Sequence, residues 1–120
     1  MFSFEIRIKT KNDIIKNFIS IKDIVNCINF LLSKNFVPSG VYLLSGKKNI
    51  SLYKLAGEIR DIFFKKYNKK IKVIQNFNNS KIINPNFKIN SSKLSKIGFF
   101  NLKKNYNNDI RELINFYSKT

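Results

Sequence analysis

Ser20-Ile-Lys-Asp-Ile-Val-Asn-Cys-Ile-Asn-Phe-Leu-Leu-Ser33 reads as a helix that carries its own start signal and more apolar positions than one neighbour can cover. The serine oxygen can accept an orphan backbone N–H, and Asp23, three residues on, suits the positive end of the helix dipole. At a step of about 100° per residue, Ile21, Ile24, Val25, Cys27, Ile28, Phe30, Leu31 and Leu32 spread over roughly 220° of the circumference. The helix, Ile21 to Lys34, is expected to lie between two packing partners. After it, Val37-Pro-Ser-Gly40 forces a break, and Val41-Tyr-Leu-Leu44 follows as a continuous apolar run between Gly40 and Gly46. Such a run predicts a strand buried on both faces of a parallel sheet, and no such sheet is evident in the chain.

Outward from this centre the signals are conventional. Phe2, Phe4, Ile6 and Ile8 alternate with polar residues, predicting a strand with one buried face. A polar turn at Thr10 to Asp13 leads to a short extended piece, Ile15 to Ile19. Ser51 predicts the cap of a second helix, Leu52 to about Tyr67, with Leu52, Leu55, Ala56, Ile59, Ile62 and Phe63 on one face. Lys70 to Gln75 reads as a strand, Asn76 to Asn84 as a polar loop, and Phe87 to Ile89 as a short extended piece. Asn90 or Ser91 then caps a helix of one to two turns ending at Gly98. A last helix runs from about Asn107 to Ser118 on the stripe Ile110, Leu113, Ile114 and Tyr117.

The 120 residues suit one domain, and 43% hydrophobic content favours a folded chain. With a single cysteine and no histidine, an internal disulfide, a His-containing zinc site and a Ser-His-Asp triad are all excluded. Cys27 lies on an apolar face and reads as a small core residue, and the aromatics, including Phe63 and Phe64, read as core. No stretch approaches the ~20 apolar residues of a membrane span, nor does the N-terminal region resemble a signal peptide. A soluble, cytoplasmic protein is therefore expected. Twenty-three basic residues against seven acidic ones give a charge of +16, which brings nucleic acid forward as a partner. Lys, Asn, Ile and Phe are enriched together, however, and the lysines read as scattered, the pattern of compositional bias. The charge is discounted accordingly.

The order Phe18-Ile-Ser-Ile-Lys-Asp23, apolar helix, Ser39-Gly-Val-Tyr-Leu-Leu-Ser-Gly46, Ile50-Ser-Leu-Tyr-Lys-Leu-Ala-Gly-Glu-Ile59 and Ile89-Asn-Ser-Ser-Lys-Leu-Ser-Lys-Ile-Gly98 resembles the C-terminal third of the extended short-chain dehydrogenases. This is the NAD-dependent epimerase/dehydratase family of nucleotide-sugar epimerases, dehydratases and reductases. The resemblance runs from about Ile6 to Phe116. It implies an α/β fold, the C-terminal portion of a Rossmann-type NAD(P)-binding enzyme, with residues 1–120 forming a single partial, substrate-binding domain. The segment Gly40 to Ser45 would add to the nucleotide-binding sheet, and the helix before it would pack between that sheet and the substrate region.

The family's NAD(P) site needs a glycine-rich turn between a first strand and helix, and its proton transfer needs a Tyr with a Lys four residues on. Neither is present: none of Tyr42, Tyr53, Tyr67, Tyr106 and Tyr117 has Lys at that spacing. The resemblance thus implies a chain without catalytic, cofactor-binding or metal residues of its own, inactive unless an N-terminal Rossmann half or an epimerase subunit joins it. Lys16, in Lys-Asn-Phe where the family has Arg-Asp-Phe, and Lys81, near a second phosphate-binding arginine, are the substrate-binding residues it implies for the nucleotide-sugar diphosphate. Lysine keeps the charge but loses the bidentate fork. Asp23 reads as a cap rather than a catalytic acid. Two rival readings are a small basic nucleic-acid-binding module and a scaffold subunit of an epimerase.

Overall fold

The computed structural model describes residues 4–46, 49–78, 81–100 and 107–118. Its elements run β1 (Phe4–Ile8), β2 (Ile15–Asn17), α1 (Ile21–Ser33), β3 (Asn49–Ser51), α2 (Leu52–Tyr67), β4 (Ile71–Gln75), α3 (Ser92–Lys96) and α4 (Asn107–Ser118). The chain is a small mixed α/β domain with four helices and two two-stranded sheets among the described residues.

β1 pairs parallel with β4, Ile6 opposite Val73, and β2 pairs antiparallel with β3, Lys16 opposite Ile50. α2 is the hub. It packs against β4, β1, β3 and α4, burying Ala56 and Ile62. Its first turn is closed by three acceptors. Ser51 Oγ takes the Lys54 N–H at 3.1 Å, Asp13 Oδ1 takes that of Tyr53 at 3.0 Å, and the Ile14 carbonyl takes that of Leu52 at 3.1 Å. Orphan donors at a helix start are thus satisfied mostly by a segment some forty residues away. At the other end Asn68, at φ 51°, terminates α2 in the left-handed region, its N–H on the Phe64 carbonyl.

α1 has the local chemistry expected of it, with Ser20 Oγ accepting the Asp23 N–H at 3.2 Å, but only one side is covered. Its wheel divides into three stripes at ~100° per residue. Asp23, Cys27, Phe30 and Leu31 turn inward, with Cys27 buried and the Phe30 ring 5.4 Å from that of Phe99. Lys22, Asn26, Asn29 and Ser33 make a polar, exposed stripe. Between these lie Ile21, Ile24, Val25, Ile28 and Leu32, all exposed, with Ile21 at 76% and Leu32 at 79%.

Several expectations are corrected here. Val41 to Leu44 forms no strand: it pairs with nothing among the described residues, and Val41 is 76% exposed. An extended apolar run becomes a strand only where another edge supplies its ladder. β3 was not anticipated, because three residues opposite β2 leave no periodicity to read. The expected polar loop 76–84 is a loop at its described residues, where Ile83 is bridged parallel to Ile14 and the Asn78 N–H lies on the Lys11 carbonyl at 2.9 Å. Phe64 is not core but 41% exposed, and Phe36, Phe100 and Phe116 are more exposed still. Phe2, at the start of the expected first strand, lies outside the described residues.

The interior is thin. Among the described residues the buried apolar ones are Cys27, Ile50, Ala56, Ile62, Leu94 and Ile110. Surface area is 9325 Å², where a compact monomer of 14.1 kDa exposes about 6,700 Å². The radius of gyration is 17.5 Å against about 14 Å for a compact domain of this length. The chain is a flattened slab rather than a closed globule, with extents of 57 × 37 × 20 Å.

Candidate functional site

Of the residues expected to meet a substrate diphosphate, Lys16 lies on β2 and Lys81 in the loop after β4. Lys16 sits mid-strand, exposed, opposite Ile50. Lys81 is also exposed, and its backbone carbonyl accepts from Asn12 Nδ2 at 3.1 Å. Lys81 is therefore anchored at the polar turn before β2, while Lys16 is anchored four residues further on. The backbones of the two are thus tied to points four residues apart along the stretch that leads into β2.

Asn17 contributes more to this region than the sequence suggested. Its Oδ1 accepts from the Gly46 N–H at 2.8 Å, while its Nδ2 donates to the Gly46 carbonyl at 2.9 Å and to Asn49 Oδ1 at 2.9 Å. Asn49 Nδ2 in turn donates to the Phe87 carbonyl. One carboxamide thus holds the end of the 41–46 segment against β2 and links both to β3. A Cβ on Gly46 would lie 1.9 Å from the Phe18 carbonyl oxygen, so only glycine permits this approach. The sequence carried a weak signal for it: a glycine closing an apolar run marks close backbone contact. Nothing local identified Asn17 as the partner, nor Asp13 as the distant cap of α2.

An open apolar hollow of about 520 Å³ adjoins β2, lined by Phe18, Ile19, Ile21, Leu55, Ile59 and Phe116 among others. Lys22 and Glu112, paired at 2.8 Å across α1 and α4, stand at its margin. The pair is more than half exposed and so contributes little stability.

Chemically the region offers binding groups. The chain contains no histidine, the Tyr42 hydroxyl donates to the Pro38 carbonyl, and the N–H of Asp23 is held by its cap serine in the first turn of α1. Cys27 is 4% exposed, and burial pushes its thiol above the ordinary range, the reverse of what a nucleophilic thiol requires. Among the described residues no group of three or more His, Cys, Asp or Glu is placed to hold a metal ion, and no helix is long and apolar enough to cross a membrane. Compared with protein-family models, curated proteins and solved structures, the chain matches none.

Proposed function

We propose that this chain is the substrate-side, C-terminal part of an NAD(P)-dependent nucleotide-sugar epimerase or dehydratase, inactive until a Rossmann-type layer covers it. The observation that carries the reading is the exposed apolar stripe of α1 together with the unpaired Val41 to Leu44. Both are the features that a donated strand and a sandwiched helix would show in such an enzyme. A solvated helix does not keep Ile21, Ile24, Val25, Ile28 and Leu32 in register beside a separate polar stripe. Contiguous apolar surface of that kind marks an interface.

In this reading Lys16 is the cation presented to the substrate diphosphate, on a strand fixed by Asn17, while Lys81 acts from the turn below. NAD(P), bound by the covering layer, supplies hydride transfer; the residues of this chain bind and orient the sugar nucleotide and help exclude water.

Two measurements test it. Calorimetry of the purified chain with NAD⁺ and NADP⁺ should give no binding, and micromolar affinity without a partner would overturn the proposal. Mixed with a Rossmann half carrying the glycine-rich turn and Tyr-x-x-x-Lys, the chain should form a complex in which α1 and residues 41–44 gain protection from hydrogen exchange. Protection confined to other elements would also overturn it.

A further inference from the structure

Residues 62–108 contain no Asp or Glu, and at the C-terminal end of α2 the fold gathers Lys65, Lys66, Lys69, Lys70 and Lys72, all exposed. The helix dipole accounts for lysines in its last turn, hence for Lys65 and Lys66. It does not account for Lys69, Lys70 and Lys72, which follow the left-handed Asn68 that ends the helix. None of the five has a carboxylate partner among the described residues; the ion pairs there are Arg7–Glu5, Lys22–Glu112 and Arg60–Asp61. The nearest carboxylates, Asp61 one helical turn before Lys65 and Glu5 opposite Lys72, are engaged by Arg60 and Arg7, and repulsion among the five cations is a cost that an anionic partner would lower.

Aromatic rings are interleaved with these charges. Phe64 is 41% exposed and, with Arg60, Asp61, Lys65, Lys70 and Ile71, lines an open hollow of about 470 Å³ in which the one carboxylate, Asp61, is paired with Arg60 at 3.1 Å. At the same helix end, Lys66 Nζ stands 5.4 Å from the Tyr67 ring centroid, and Lys69 Nζ stands 5.7 Å from that of Phe4 in a neighbouring hollow that Phe63 and Tyr67 also line. An accessible ring flanked by cations matches a strand whose phosphates are spaced along a backbone and whose bases are free to stack. A duplex keeps its bases stacked internally and has no use for the ring. An anionic bilayer would want a broad apolar face among the lysines, and here two separate phenylalanines, Phe4 and Phe64, each 41% exposed, stand among them.

We infer that the C-terminal turn of α2 is a contact site for single-stranded nucleic acid, with Lys65, Lys69, Lys70 and Lys72 on phosphates and Phe64 against a base. The site is independent of the substrate-side reading. α2 is 16 residues long, so the turn lies about 24 Å from the end that meets β2 and β3.

The test is fluorescence anisotropy of the full chain with labelled oligo-dT and oligo-U of about twelve nucleotides. The log of affinity should fall against the log of salt with a slope of about −3, as four or so phosphates neutralised on a single strand require. Phe64→Ala should weaken binding about tenfold, the loss of one stacked base, and Phe64→Leu, which keeps the volume, should weaken it comparably. The triple variant K69Q/K70Q/K72Q should lose more than tenfold, while K88Q/K93Q/K96Q, with the same loss of charge elsewhere, loses less than about twofold. Melting followed by circular dichroism shows that each variant remains folded. Equal losses from the two triples, no effect at Phe64, equal affinity for duplex, or binding to phosphatidylserine vesicles but not to oligonucleotide would each overturn the inference.

Discussion

α1 and α2 begin alike and end in different circumstances. Each has a serine whose oxygen accepts the N–H three residues on, at 3.2 Å for Ser20 and 3.1 Å for Ser51, and each carries a continuous apolar face. α2 is enclosed by two strands of one sheet, a strand of the other and a helix. α1 is covered along the stripe of Cys27 and Phe30 and bare along that of Ile28 and Leu32. Local sequence therefore makes both helices, whereas what meets a helix face depends on where the rest of the chain goes. An apolar stripe left bare costs free energy in water that only a covering surface recovers.

The sharpest way to break this contrast is to remove the same atoms from each helix. Ile62→Ala, in the buried face of α2, should destabilise by about 2–5 kcal/mol in urea melts, the usual range for a core isoleucine. Ile28→Ala, at 50% exposure, should stay within about 1 kcal/mol. Equal costs would mean that the stripe of α1 is covered in solution. Gly46→Ala comes next: its Cβ would collide with the Phe18 carbonyl, and overpacking of backbone costs about 1–3 kcal/mol, read as a lower thermal midpoint. Ser51→Ala should cost about 1–2 kcal/mol and Ser20→Ala about 0.5–1 kcal/mol, because Ser51 is 3% exposed while Ser20 is partly open. Reversal of that order in denaturant titrations would count against the difference in enclosure.

Cys27 sharpens the comparison from the covered side of α1. Burial raises its pKa, so the folded state holds its proton to higher pH than the unfolded state. The stability this contributes is complete below the unfolded thiol pKa and is lost as pH rises through the folded one. Alkylation by iodoacetamide at mildly alkaline pH should be slower in the folded chain than in urea. Equal rates would show that this face of α1 opens freely.

Much of the fold was legible. The helices at Ile21, Leu52 and Asn107, and the strands β1 and β4, follow from period and cap, because those signals lie within a few residues of one another. That α1 wants two partners follows from the apolar positions round its circumference, and the fold supplies one of them in Phe99 and its neighbours. The candidate site was less readable. Lys16 and Lys81 come from a resemblance, and Lys81 meets the stretch before β2 through its backbone carbonyl on Asn12. Asn17 and Asp13, which fix that segment to Gly46 and to the start of α2, were missed since their partners are 29 and 40 residues away in sequence. The lysines read as scattered along the chain, yet the turn at Asn68 gathers five of them around one helix end.

By itself the sequence determined where helices start and stop and which residues are apolar, for these depend on caps, dihedral preferences and periodicity over a single turn or pleat. Tertiary structure alone decided that Val41 to Leu44 has no strand beside it among the described residues, that Phe64 faces solvent, and that one apolar stripe of α1 is sheltered while the next is open. Burial and ladder hydrogen bonds are relations between distant segments, and no window along one segment contains the other.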